Sequence, residues 1–324
     1  MVYLLNIQSA ETRSVNRTNL NNRVKRFWVA FKRDRYLHLL VLPAVVAVFI
    51  FSYIPMYGIQ IAFKDYSFSK GILDSPWVGL ANFTSFFESI YFWRLIRNTL
   101  LLSFLSLIFS FPIPIIFSLM LNEVRNRPFK NTIQTISYFP HFISTVIVVG
   151  MMHTLLSPET GMFNQLIEML GGEPIAFMQS SAWFRPLYII SGIWQGFGWN
   201  SIIYLSALTG VAPELYEAAE IDGAGRFRKI WSISLPAIIP TVVIMLILAV
   251  GGLMNVGYEK IILMYNPGIY EVSDVISTYV YRKSLQGGEF SFGTAVGLFN
   301  NVVNFIIIFI ANKISRSVSE ISLW

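Results

Sequence analysis

The chain contains no cysteine and only three histidines, His38, His141 and His153, among its 324 residues. Lack of thiols excludes disulfides, thiolate zinc sites, iron–sulfur clusters and a cysteine nucleophile, and so few imidazoles leave no histidine metal site to propose. Charge is scarce too, with 13% of residues Asp, Glu, Lys or Arg against 54% apolar. A water-soluble core cannot absorb that excess without large exposed patches, whereas a bilayer accepts apolar runs of about 20 residues. A phosphate-binding loop of the form G-x-x-x-x-G-K-[ST] is also missing. The one Lys-Ser pair, Lys283-Ser284, follows Arg282 where glycine is required. No internal repeat or low-complexity tract is present, and the longest outer loops, around 62–97 and 258–291, are too short for an independent domain.

What is present is six apolar stretches, at about 37–61, 98–121, 136–156, 187–210, 236–257 and 292–312. Each is long enough to cross a bilayer as a helix, which predicts an all-α membrane protein with six transmembrane helices in one domain spanning 37–313. Pro43, Pro55, Pro112, Pro114 and Pro140 fall within or near these stretches and are expected to kink the helices without breaking them. The third and fourth stretches carry enough polar residues to face protein or water rather than lipid.

Residues 1–36 form a basic segment with eight Lys and Arg and none of the features of a cleaved signal peptide, so it is expected to stay on the cytoplasmic side. Within it Val24, Phe27, Trp28 and Phe31 recur at helical spacing, as in a helix lying on anionic lipid or, equally, in a solvated basic tail. With both termini inside, including a tail at 314–324, the inner segments hold sixteen basic and eight acidic residues and the outer loops eight basic and ten acidic. That asymmetry follows the retention of Lys and Arg on the cytoplasmic face, and it attributes the net +6 to membrane topology rather than to nucleic acid.

Between the fourth and fifth stretches, a loop at 211–235 suggests two short helices joined at glycine. Pro213 suits a first helical turn and Glu214 and Glu217 its N-terminal end; Gly223 and Gly225 can supply the positive φ that ends it, and 226–232 the second helix. Ala218 and Ala219 present almost no side chain, so a partner surface can approach the backbone, with Glu217 and Asp222 at the edge. The full pattern is Glu217, Ala218, Ala219, three residues, Gly223, nine residues, Ile233, one residue, Leu235, Pro236.

In identity and spacing this pattern resembles the EAA motif of binding-protein-dependent ABC importer permeases. The resemblance extends over most of the chain, through Leu42-Pro43, the run from Tyr53 to Gly58, Ala62 to Asp65, Trp77 to Gly79, Asn98-Thr99, Gln134 to Ser144 and Trp199-Asn200. These look like the carbohydrate branch, and within it the oligosaccharide and polysaccharide permeases, such as the first permease subunit of alginate importers. The resemblance implies a type I ABC importer transmembrane domain in the bacterial inner membrane, paired with a second permease subunit as a heterodimer. It also implies two copies of an ATP-binding subunit that hold ATP and Mg, and an extracytoplasmic solute-binding protein. The chain itself would carry no cofactor, no metal and no catalytic residue, and its loop would be the coupling helix that fits a cleft on the ATPase.

Sugars are held by aromatic faces and by amides or hydroxyls that replace hydration, which makes Trp194, Gln195, Trp199, Asn200, Tyr204, Asn255, Asn300 and Asn304 candidates for the carbohydrate pathway. Singly, each asparagine reads as readily as an interhelical hydrogen bond and Trp199 as an interfacial anchor. For an anionic uronate polymer such as alginate, Lys64, Arg185, Lys260 or Arg282 near the outer face could line the route. His141 and His153 lack a carboxylate at helical spacing and read as packing residues. Two rivals are an ion-coupled secondary transporter, which would usually carry buried ionisable groups and inverted repeats, and a polytopic membrane glycosyltransferase, which would need a metal or acid cluster at the membrane face.

Overall fold

The structure is a computed structural model that describes Val29 and residues 32–319. Most of the basic N-terminal segment, with its helically spaced aromatics, lies outside the described residues. Two units, residues 1–60 and 61–324, are taken separately.

In the first unit helix α1, Arg35–Val48, passes through a π turn at Phe49–Tyr53 into a 3-10 stretch at Ile54–Phe63. Pro43 sits inside α1 without ending it. Pro55 has no N–H for the ladder, and the change of helix type accommodates that gap. No residue of α1 or the π turn is buried.

In the second unit α2, Phe92–Ser110, and α3, Pro112–Asn122, join through Phe111, whose dihedrals stay helical. Pro112 and Pro114 therefore leave one continuous helix. Next, α4 (Arg127–Tyr138) and a 3-10 turn at Phe139–Phe142 meet α5 (Thr145–Leu155) at 96°. Here the expectation of a kink without a break fails. Pro140 sits in the 3-10 turn, Ile143 is extended, and the Ser144 hydroxyl accepts from the Ile147 N–H to start a new helix.

Helix α6, Ser181–Thr209, is the central element and touches α2, α3 and α4. It approaches α4 so closely that a Cβ on Gly198 would overlap the Ser137 carbonyl. After it come α7 (Pro213–Ile221), α8 (Arg226–Lys229), α9 (Leu235–Gly251) and, beyond several short outer helices, α10 (Phe290–Ser319). Thus α10 runs through the first residues of the expected C-terminal tail.

Four helices are long and apolar enough to cross a membrane, Arg35–Phe63, Phe92–Asn122, Arg226–Gly251 and Phe290–Ser317, and the bent pair makes a fifth if it is one span. The fourth apolar stretch, 187–210, corresponds in sequence to most of α6, which is 29 residues long but too polar to match the other four. Gln195, Asn200 and three serines dilute it. Buried apolar side chains gather in three places: around Leu102, Phe184 and Ile261; around Phe86, Leu95 and Phe292; and, near the α7–α8 loop, around Leu119, Leu208 and Ile238.

Candidate docking loop and polar cavity

Helix α7 begins with Pro213 at its first position and Glu214 in its first turn. It ends with Gly223 at φ +75°, the Gly223 N–H on the Glu220 carbonyl (3.0 Å) and the Ala224 N–H on the Ala219 carbonyl (2.8 Å). This is the double C-terminal cap that favours glycine at its left-handed position. Gly225, by contrast, is extended at φ −70°, ψ 169°, and caps the start of α8. The second short helix is not separate either, because α8 continues through a π turn at Ile230–Ser234 into α9, giving one helix from Arg226 to Gly251. Pro236 and Pro240 remove two N–H donors near this junction, and a π turn is one way a helix absorbs such a loss.

The loop is tied down from beneath. Glu220 Oε1 accepts from Lys229 Nζ at 2.7 Å and from Arg125 at 3.0 Å, while the Tyr216 and Ser234 hydroxyls lie 3.0 Å apart. The Lys229 hydrogen bond, with the charges of Lys229 and Arg125, holds the Glu220 carboxyl below the usual carboxylate range. Sequence reasoning missed this clamp because Arg125 lies on the preceding inner loop. Glu217, Ala218, Asp222 and Gly223 are exposed, Ala219 is half-buried, and Ile221 (87% exposed), Phe227 (90%) and Trp231 (74%) are large apolar side chains left uncovered. Ile233 and Leu235 are half-buried and Pro236 exposed at the junction with the span.

At mid-helix depth a cavity of about 400 Å³ opens between α2, α6 and α9. Three of the eight pathway candidates, Asn200, Tyr204 and Asn255, line it together with Tyr188 and with Ser103, Ser106 and Ser110. These serines, three and four residues apart on one face of α2, were legible as a polar stripe and were overlooked. The remaining candidates are otherwise engaged. Gln195 Nε2 donates to the Ile143 carbonyl at 2.7 Å, filling the gap at the bend between α4 and α5. The Asn304 amide oxygen accepts from the Met254 N–H at 3.0 Å, and Asn300 donates to the Met254 carbonyl (3.2 Å) and to Asn255 (3.0 Å), securing the chain where α9 unwinds. Trp199 stacks flat on His141 with centroids 4.5 Å apart and borders a second hollow with Asn200. Trp194 is exposed and lines neither space. His153 approaches only the Leu263 carbonyl, at 3.5 Å.

The four basic residues named for an anionic cargo, and Arg94, divide by partner. Lys64 donates to the Ile72 and Leu73 carbonyls. Arg94 (3.2 Å) and Arg282 (2.7 Å) share Asp274, whose side chain is fully buried. Arg185 reaches only the Asn98 amide oxygen, at 3.4 Å. Lys260, on the outer helix Tyr258–Met264, donates to the Tyr188 carbonyl at 3.0 Å and lies 4.8 Å from the Tyr188 ring centre. Burial lowers its pKa to about 8. Among the described residues no group of three or more His, Cys, Asp or Glu is arranged to hold a metal ion.

The model of the family described as binding-protein-dependent transport system inner membrane component matches residues 110–320, which contain the loop, α6, α9 and α10. The chain belongs to that family. This permease is a multi-pass inner membrane protein and a non-catalytic subunit, which sets aside the secondary-transporter and glycosyltransferase readings. It is 46% identical over 296 residues to the polygalacturonan/rhamnogalacturonan transport system permease protein YteP of Bacillus subtilis (strain 168), covering 91% of this chain and 92% of that one. To protein LplB of the same organism it is 46% identical over 298 residues, 92% of this chain and 94% of that one. Among solved structures the permease is similar to a chain in a bacterial ABC transporter involved in the import of the acidic polysaccharide alginate. The TM-score is 0.83 at 45% identity, covering 91% of this chain and 99% of that chain. It is equally similar, at TM-score 0.83 and 44% identity, to a chain of the bacterial alginate ABC transporter in complex with an alginate pentasaccharide-bound periplasmic protein, covering 92% and 100%.

Proposed function

We propose that this permease forms half of the translocation pathway of an ATP-driven importer of acidic oligosaccharides or polysaccharides, alginate or a related uronate. Six spans, counting α6 and the bent α4–α5 pair, would bring both termini to one face, and the excess of Lys and Arg on the inner segments supports the cytoplasm as that face, with the basic 1–36 segment in it. A second permease subunit supplies the other half, two ATP-binding subunits supply ATP and Mg, and an extracytoplasmic binding protein delivers cargo to the outer loops. The observation that carries this reading is the loop at 211–235, which presents Glu217, Ala218 and Ala219 with large uncovered apolar side chains on an internally clamped base. Its continuity with α9 suits transmission of ATPase closure into a change of access, because a rigid helix moves as one body. Asn200, Tyr204 and Asn255 around the polar cavity are the pathway residues this reading retains from the eight. The acidic cargo is supported by the relatives' names and rests on similarity over nine-tenths of the chain.

Co-expression with the neighbouring subunits, purification through a tag on this chain, and comparison with Gly223→Asp test it. The expected outcome is an ATPase subunit that copurifies with the native chain and, with the variant, is lost or no longer stimulated. Recovery of no ATPase, with normal uptake by the variant, overturns the reading.

A further inference from the structure

Positive charge at the outer end is not distributed evenly with respect to its counter-ions. Asp274 neutralises part of the Arg94 and Arg282 pair, and Lys64 is spent on two main-chain carbonyls. Lys70 and Arg97 are exposed and make no ion pair among the described residues, and two further cations that make none are Arg185 and Lys260. Both are half-buried, the setting in which an unpaired charge is most costly. Arg185 Nε is moreover buried with no hydrogen-bond partner at all. Both lie beside Tyr188, Lys260 by contact and Arg185 by position on α6. Lys260 sits on the carbonyl and ring of Tyr188, and Arg185 lies three residues earlier, about one helical turn toward the outer end. Tyr188 in turn lines the 400 Å³ cavity, next to the serine stripe and Asn200.

We infer that Lys260, seated on Tyr188, and Arg185, three residues before it on α6, form a carboxylate-reading subsite beside the polar cavity that Tyr188 lines, where a uronate residue of the cargo is held as it enters. Two cations free of carboxylate partners are the chemistry such a residue requires. The inference rests on the acidic-cargo reading above and narrows it from a class of polymer to a pair of side chains.

The test uses the complete transporter with its binding protein, reconstituted in proteoliposomes, and two probes of equal length: an oligogalacturonate and its fully methyl-esterified, uncharged form. Arg185→Gln and Lys260→Gln are each expected to raise KM for the oligogalacturonate roughly tenfold, the scale of one charge-assisted hydrogen bond. KM for the ester should stay within twofold of the unmodified complex, a margin of roughly 0.4 kcal/mol. Lys260→Arg should restore most of the loss. Copurification of the ATPase and retention of the binding protein establish that each variant is assembled. Equal losses with both probes would assign the pair a structural role and overturn the inference, as would no change with either. Weakened capture of the binding protein regardless of its cargo would overturn it in favour of a protein-docking surface. Absence of ATP-dependent uptake of either probe by the unmodified complex would instead remove the acidic-carbohydrate reading itself, and the subsite with it.

Discussion

Two carboxylates in this permease each bridge two cations, and they are built in opposite ways. Glu220, at the docking loop, joins Lys229 and Arg125 with half of its side chain in the open. Asp274, at the outer end, joins Arg94 and Arg282 with none of its side chain exposed, and Thr278 adds a hydrogen bond at 2.8 Å. Around it Asn98 ties the Glu271 and Asp274 carbonyls to α2. The first arrangement steadies an exposed loop; the second replaces water for charges that have no other source of it. Identical chemistry thus does different work according to burial, since desolvation makes the loss of one partner costly only in the second case.

The sharpest way to break this comparison is Asp274→Asn, which leaves two half-buried guanidinium groups uncompensated. It should cost about 3–5 kcal/mol in denaturant unfolding of the purified chain, and a loss below 1 kcal/mol would mean that water reaches the site. Next in size is Phe227→Ser on the docking loop. Removal of an aromatic anchor should weaken association with the ATPase subunit by about 2 kcal/mol, read by titration binding, while unfolding is unchanged. A shifted unfolding curve would instead show that Phe227 packs within the loop. The smallest effect is expected for Glu220→Gln, which should leave the unfolding midpoint where it was and only loosen ATPase coupling. Because the Glu220 carboxyl titrates below its ordinary range, its clamp is complete at neutral pH and above, and it is lost as pH falls through that lowered value. Coupling should therefore be flat from neutral into mild acid and drop beyond it in the native chain, with the drop absent in Glu220→Gln.

The sequence carried the local features well. Pro213 and Gly223 bound α7 because a proline start and a glycine end are written in neighbouring residues. Four spans follow from uninterrupted apolar length. What was not legible depends on partners far along the chain. Nothing near Gln195 indicates that it satisfies Ile143, 52 residues away, and nothing near Asn304 points to Met254. Gly225 looked equivalent to Gly223, yet only one of them follows a helix end that needs a left-handed residue. The 96° bend was hidden for a related reason: Pro140 signals a disturbance, but whether the helix bends or restarts depends on Ser144 being free to cap and on α6 supplying a donor for the Ile143 carbonyl.

The π turn at Ile230–Ser234 sets a phase as well as a shape. A π turn carries one residue more than the α ladder, and each residue of an α-helix advances about 100° around the axis. Side chains before the turn, Phe227 among them, therefore stand about a quarter to a third of a revolution away from the bearing that the α9 span alone would dictate. Deleting a single residue between 230 and 234 would restore a plain helix and swing that face around the axis while leaving its composition intact. In this segment the count of residues, more than their identity, fixes which way Phe227 faces.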